Sequence, residues 1–594
     1  MTRQVRHCVG SVAVIRSIHS DRWSRRNAKH DVTATVGAST SPAATRCSGT
    51  SARGSPAREM GSMSSPAELP GTQPKLRRSL ATWAAISLSV AAMGASLAVN
   101  INPQGAGATV GRAVPLTFVL ATIGVLLVAY GFARICSRLS HAGSVFGLTG
   151  VTIGPRAGVV AGWSLLGAYL SFMLTTSMTA GIFGAEFLRG LGLYETTPDI
   201  VPWIIALVSV GIATLLAISP VKKSMATLLW VEICTTLVIV VIAVVVVVRV
   251  AGGSAPGGQR FNLDMFSVPP GISTSTLFLG IVFGFLSFAG FEAAASLGEE
   301  TTNPKRAIPI AIFGVALFGG LFYIVGTSVE MLGFGTDDAG VEAFSKSASL
   351  FGTLGEQYVS PVVGDLVTLG TAISAMGCAL ATAVAASRLL FALNRGAFER
   401  RGFTKVSAKS GTPISATLFV CGLAAAIIVV MRVFVTAAAF DLFAWSGTVG
   451  TLVLLVAYAL FSVGAWYYLC VRAPRLGHRA APLDYVVPLL AIAVIGYTMF
   501  RNVAPWPSTG PGRANIVIAA AWVIAIIVVI VAAPKTTRRI AESLSRDEGL
   551  TADAGYLALA VDEVEEHLHR DATSAGAPRV TGGFHGETPE AAKS

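Results

Sequence analysis

Twelve apolar runs of about 18 residues or more punctuate this chain, and each is long enough to cross the hydrocarbon layer of a bilayer as a helix. They lie near 81–102, 114–134, 156–188, 200–219, 225–249, 274–298, 308–333, 358–393, 413–433, 438–470, 484–501 and 513–533. Only 13% of the 594 residues are charged, about half the share usual in soluble domains. Lipid offers no water to backbone N–H and C=O groups, so segments of this kind must satisfy their hydrogen bonds internally. The predicted fold class is therefore an all-α polytopic membrane protein with twelve transmembrane helices. The third, eighth and tenth runs exceed what one crossing needs and are expected to tilt or project beyond it.

The formal charge of +12 suggests nucleic acid until it is located along the chain. Residues 1–80 hold 13 Lys/Arg against 4 Asp/Glu, and the tail from Lys535 onward holds 7 against 11. Neither tail carries enough apolar residues for a core. Residues 1–75 read either as a disordered basic tail or as an over-extended start, with Met63 opening a more ordinary leader. Residues 535–594 read as a mostly disordered tail with a short acidic helix near 557–570. The intervening residues 76–534 form the predicted twelve-helix membrane domain. With the N-terminus inside, the short inner connections hold 21 Lys/Arg and the outer ones 8. This bias predicts a cytoplasmic (inner) membrane protein with both termini cytoplasmic. The segment 140–155 is expected along the inner surface, and 341–359 as an outer lid.

Two runs are interrupted by small and polar residues. Run 1 reads SLSVAAMGAS at 87–96, and run 6 reads SFAGFE at 287–292, five runs later. A helix break inside lipid is tolerated only where protein or a water-filled cavity satisfies the freed groups. Paired interruptions at matching positions point to an inverted repeat with a site near the midplane. Close helix packing through small residues is the plainer explanation of run 1 alone.

At this point the residues resemble a known family. FAGFE at 288–292, followed by GEETTNPKRAIP at 298–309, is similar to the sixth-span signature of the amino acid–polyamine–organocation permeases. SRLSHAGS at 137–144 with GPRAGVVAGW at 154–163 resembles the entry to their third span. ASRLLFAL at 386–393 and GTP at 411–413 resemble the end of span 8 and the approach to span 9. The matches keep the family's order across roughly 80–535. The resemblance implies a five-plus-five inverted repeat with helices 1 and 6 broken around the substrate, and two peripheral helices. It implies a secondary transporter, commonly proton-coupled, for amino acids or related amines, including polyamines and organic cations. Carried over by position, the substrate contacts are Met93, Gly94, Ala95 and Ser96 on span 1. Those on span 6 are Ser287, Phe288, Ala289 and Gly290. Some relatives carry a Lys in mid-span 5; here that level holds Thr235, with Glu232 one turn earlier.

Of the charged groups inside or at the ends of spans, where a charge is costly and marks function by default, three are the candidates, while Asp365 and Asp441 near outer ends are expected to be solvated. Glu292 is the candidate proton carrier, or else a structural acid bonded to the unwound backbone. Glu232 is either a second coupling acid or one half of an ion pair with Arg388 or Lys222. Arg388 is expected as a gating or structural partner. Phe285, Phe288, Phe291 and Trp445 are candidates to cover a bound side chain. There is no P-loop, metal-ligand spacing or nucleophile–base pattern, so the chain is not expected to be an enzyme or to hold a metal or cofactor. Its partners are expected to be an amino acid or amine, a proton and lipid, with no nucleic acid. A substrate sensor on the same fold is the reading from another class.

Overall fold

The computed structural model describes residues 86, 89, 90, 92–138, 145–219, 222–297, 303–397, 412–475, 479–535 and 537–540. The N-terminal tail, the C-terminal tail beyond residue 540, and parts of the quoted motifs at 139–144, 298–302 and 411 lie outside these residues. Among the described residues there is no strand. Fifteen helices account for the architecture: α1 (Ala95–Val110), α2 (Val114–Arg138), α3 (Val145–Thr152), α4 (Pro155–Gly190), α5 (Val201–Ile218), α6 (Lys222–Ala251), α7 (Leu277–Ser287), α8 (Pro304–Phe334), α9 (Asp338–Lys346), α10 (Leu350–Tyr358), α11 (Pro361–Ala397), α12 (Ile414–Val430), α13 (Ala439–Tyr467), α14 (Pro482–Val503) and α15 (Gly510–Ala532).

Ten helical stretches are long and apolar enough to cross a membrane. One of them, Ala95–Arg138, has 44 residues and would measure about 66 Å if straight, twice the hydrocarbon thickness. It is divided where Gly111 takes φ 57 and ψ −135 and a short 3₁₀ turn begins, so it supplies spans 1 and 2. Span 6 is short because it is broken: α7 stops at Ser287 and a 3₁₀ segment, Phe291–Leu297, resumes. With these two counted, the twelve predicted spans are accounted for. The outward faces of α5, α6, α12 and α15 carry exposed Leu215, Leu237, Leu418 and Val531. Such a continuous apolar surface belongs in lipid, and the chain is a multi-pass membrane protein.

The packing follows a five-span offset. Span 1 packs on span 6 (α1 on α7), span 2 on span 7 (α2 on α8), and span 3 on span 8 (α4 on α11). The flanking contacts repeat as well. Span 10 (α13) lies on span 3 with the short α3 beside both, while span 5 (α6) lies on span 8 with the short α10 beside both. Spans 11 and 12 (α14, α15) sit on the outside of span 10, and both are largely exposed.

Two expectations are corrected. Span 1 does not stop at residue 102, because α1 continues through Pro103 to Val110. A proline inside a helix forfeits one hydrogen bond, but here the helix is buried at every position except Ala108 and Thr109. Gly105 and Gly107 let Phe283 and Phe344 approach so closely that a Cβ would collide with their rings. The described part of the connection 140–155, from Val145 on, does not lie along a surface either. Within it α3 is buried from Val145 to Thr152 apart from Phe146, pressed against α4 and α13. Gly158 there meets Gly150 with only 3.0 Å between an added Cβ and the facing Cα.

Candidate functional site

The two breaks are built by glycine. Gly94 takes φ 55 and ψ 59, a left-handed conformation that costs other L-residues about 1–2 kcal/mol. A Cβ there would also strike the Cys378 sulfur on α11. In span 6, Phe288 and Ala289 turn through hydrogen bonds to the carbonyls of Phe285 and Leu286, both 3.1 Å, and Gly290 follows at φ 102. The breaks face each other: a Cβ on Gly290 would lie 3.0 Å from the backbone carbonyl of Ala92. Further cross-links tie the two spans together. The Ser89 hydroxyl accepts from the Ala294 N–H (2.9 Å), and Asn102 Nδ2 donates to Ser287 Oγ (2.8 Å).

A cavity of about 380 Å³ opens beside the breaks. Met93, Ala289, Gly290 and Glu292 line it, as do Tyr169, Phe172, Thr175 and Thr176 of α4 and a row of small residues on α11 that ends in Arg388. Toward the α10 end the protein closes over it. Asn100 donates to Ser349 Oγ (3.4 Å) and Thr371 Oγ1 (3.1 Å) and accepts from the Phe351 N–H (2.7 Å). One turn on, the Gln104 amide donates to the carbonyls of Ser345 (2.8 Å) and Ser347 (2.6 Å). Toward the α3 end the lining reaches Arg388, which is exposed. A second cavity, about 570 Å³ among α4, α12, α13 and α15, is lined almost entirely by apolar side chains. Convergent polar groups distinguish a specific site from an apolar crevice, and these favour the first.

The acids divide the work. Glu292 is 5% exposed on the cavity wall and accepts from Tyr458 Oη on α13 at 2.8 Å. Glu232, 4% exposed on α6, is not an ion-pair partner of Arg388. It takes the N–H and the hydroxyl of Ser96 (2.7 and 2.8 Å) and the hydroxyl of Ser374 on α11 (2.5 Å). The first N–H groups of a helix have no partner within it, and Gly94 offers no side chain to cap α1. Glu232 provides that cap from another span, where the partial positive charge of the helix end favours an anion.

Of the residues predicted from the sequence, Met93, Ala289, Gly290, Glu292 and Arg388 line one cavity. Gly94, Ala95, Ser96, Ser287 and Phe288 shape the breaks without lining it. The Ser96 N–H is taken by Glu232, the Ser287 hydroxyl accepts from Asn102, and the Ser287 carbonyl accepts from Tyr323 (2.8 Å). Phe285, Phe288 and Phe291 are packed in the core, Phe291 edge-on to Phe132 and Tyr458. Trp445 lines the second, apolar cavity. Sequence reasoning missed Asn102, Tyr169, Ser374 and Tyr458. The polar triplet of Asn100, Asn102 and Gln104 in an apolar run was the available signal.

The sequence model of the amino acid permeases matches residues 85–541. The chain belongs to the amino acid permease family. This permease is 24% identical over 355 residues to the branched-chain amino acid permease of Bacillus subtilis, covering 56% of this chain and 71% of that one. It is 26% identical over 310 residues to a low-affinity putrescine importer of Escherichia coli K12, covering 50% and 63%. It is 25% identical over 337 residues to the vacuolar cationic amino acid transporter 4 of Arabidopsis thaliana, covering 54% and 53%. The permease thus spans less than two thirds of the length of the latter two relatives.

Proposed function

We propose that this permease moves an amino acid or related amine across the cytoplasmic membrane by alternating access, with Glu292 exchanging the coupling proton. One observation carries the reading. Two broken helices meet at a cavity that is closed toward α10 by Asn100 and Gln104 and reaches exposed Arg388 toward α3. A site at paired breaks, shut on one side only, is what a carrier presents in one of its two states. The bias of Lys/Arg toward the α3 end makes that the cytoplasmic side, and Arg388 then guards the inner mouth. The backbone of both breaks reaches the cavity wall at Met93, Ala289 and Gly290, where the polar ends of a small cargo would sit. A carboxyl held out of water by protein walls is suited to carry a proton between the two sides.

The test is uptake into proteoliposomes of labelled leucine, lysine and putrescine, with and without an inward pH gradient. Accumulation of at least one is expected. Failure of all three to accumulate above protein-free vesicles overturns the permease reading. Accumulation by Glu292→Gln that still follows the gradient removes Glu292 as the proton carrier.

A further inference from the structure

The second cavity, about 570 Å³ among α4, α12, α13 and α15, has the shape of a slot in the lipid-facing surface. Leu442 and Val453 mark its extent on α13, Pro511 and Trp522 on α15. Each interval covers 11 positions, about 16 Å at 1.5 Å per residue, or half of the ~30 Å hydrocarbon layer. The slot is one leaflet deep. It opens sideways: α12 and α15 are the two least buried of the ten apolar stretches, and their lining residues Leu423 and Ile518 are 36% and 51% exposed. At its deep end it is shut. Trp522 stacks on Trp163 at 4.8 Å, and each indole N–H donates to the other residue's backbone carbonyl at 2.9 Å, which pins α15 to α4. Gly167 admits the Trp522 ring, which a Cβ there would strike.

The other end carries charge. Because α11 leaves the α10 end of the molecule, α12 returns to it, and α13 and α15 start from it. There Arg432 follows the lining residue Met431, and Arg513 stands between the lining residues Pro511 and Ala514. Neither arginine has an ion-pair partner among the described residues. Arg513 Nε donates to the Pro507 carbonyl at 2.7 Å, which leaves its two NH₂ groups available. Asp441, the acid next to the lining residue Leu442, spends Oδ2 on the Ala438 N–H at 3.1 Å. A slot facing lipid needs an apolar occupant, because an unfilled wall forfeits its packing contacts. Yet lipid tails are as apolar as leucine, so a chain gains little by moving in. The arginines must supply any preference.

We infer that the slot seats one acyl chain of an anionic phospholipid from the leaflet on the α10 side, with its head group held by Arg432 and Arg513. Guanidinium groups bind phosphate through paired charge-assisted hydrogen bonds, and basic residues at a membrane surface attract anionic head groups. A free phosphate would leave the slot empty, and an uncharged hydrocarbon would leave the arginines unmatched. The seat shares a wall with the first cavity. Ser446 lines the slot, Thr175 lines the first cavity, and their hydroxyls bond at 2.9 Å. The bound chain thereby braces spans 3 and 10 at their contact.

The test uses the tryptophans of the slot, Trp445 and Trp522. Purified permease in detergent micelles is titrated with phosphatidylglycerol carrying brominated chains while tryptophan fluorescence is followed. Quenching is expected to saturate, at roughly tenfold or more lower lipid than for phosphatidylcholine with the same chains, the scale of two arginines near a head group. Replacing both arginines, Arg432→Gln with Arg513→Gln, should remove that difference. Ala514→Phe should fill the slot and remove the saturable quenching; if it fails to fold, the arginine pair and Trp445→Phe, which should cut the quenching amplitude, carry the test. Equal half-saturation for the two lipids, or quenching that the arginine replacements leave unchanged, overturns the inference. Glycerol phosphate, a head group without chains, should not compete; competition equal to the intact lipid marks a free-phosphate site and overturns it. A wild-type mass of two chains that Ala514→Phe reduces to one, without saturable quenching, assigns the slot to a second copy and overturns it as well.

Discussion

Removing the Glu232 carboxylate should expose how the span 1 break is held. In wild type its two oxygens accept three hydrogen bonds from two other spans: the Ser96 N–H, the Ser96 hydroxyl and the Ser374 hydroxyl, at 2.7, 2.8 and 2.5 Å. Glu232→Ala leaves all three donors in a site from which water is excluded. Each orphaned donor costs about 1–3 kcal/mol. The hydroxyls can turn back to carbonyls of their own helices, as Thr371 does toward Val367 (2.8 Å), so the N–H carries most of the loss. The expected total is about 2–3 kcal/mol, one orphaned buried N–H with smaller losses at the hydroxyls. Glu232→Gln behaves differently. Its remaining oxygen still accepts the Ser96 N–H, and its new NH₂ can donate to both hydroxyl oxygens once they rotate. That variant should lose only about 1 kcal/mol, one ordinary hydrogen bond. The assay is thermal melting of the purified permease in detergent, with denaturant titration as a cross-check. The predicted order is wild type, then Gln close behind, then Ala far below. Melting of Glu232→Ala with wild type would refute the capping role. A Gln variant as damaged as Ala would show that the charge, rather than the set of acceptors, holds the break.

Three other outcomes follow from the same packing. Gly290→Ala should abolish uptake, because φ 102 is closed to Ala and its Cβ would press on the Ala92 carbonyl at 3.0 Å; Gly314→Ala, where an added Cβ meets nothing within 4 Å, should transport normally. Asp484→Ala should cost about 3–5 kcal/mol and loosen α14, since Asp484 is fully buried with Arg134 bound at 2.7 and 2.6 Å, Arg138 at 3.3 Å and Tyr130 at 2.8 Å; protease nicking of the α13–α14 connection is the readout, and unchanged resistance counts against it. Glu330 on α8 is 0% exposed, with neither carboxyl oxygen bonded among the described residues, so Glu330→Met should melt higher than wild type; a lower melting temperature would mean that a partner such as bound water completes the site.

Much of this was readable because periodicity and composition act locally. A run such as 225–249 has no alternative but a spanning helix, and a glycine between small residues marks where one can break, as Gly94 and Gly290 do. What stayed hidden depends on partners far along the chain. Glu232 reads as a coupling acid or an ion-pair partner because nothing near it names Ser96, 136 residues away. The apolar run near 81–102 does not reveal that α1 continues through Pro103, which only the surrounding spans make possible. The burial of α3 was equally invisible: a Gly-rich connection looks solvated until Gly158 and Thr152 show how closely α4 and α13 approach it.

The five-span offset extends to the acids themselves. Span 1 is tied at its break to span 5 through Ser96 and Glu232, and span 6 to span 10 through Glu292 and Tyr458. Spans 1 and 6 are repeat mates, as are 5 and 10, so one latch occurs twice with donor and acceptor exchanged. In the first copy the broken span brings the donors and the supporting span brings the carboxylate; in the second the carboxylate rides on the broken span. The exchange has a physical consequence. Glu232 is held by a backbone N–H that cannot turn away, so that latch is fixed as long as α1 stays helical. Glu292 also takes backbone N–H groups at its own break, beside the Tyr458 hydroxyl, but it faces the cavity. Of two acids in related places, only the second lines the cavity. That difference is what supports proposing Glu292, rather than Glu232, as the proton carrier.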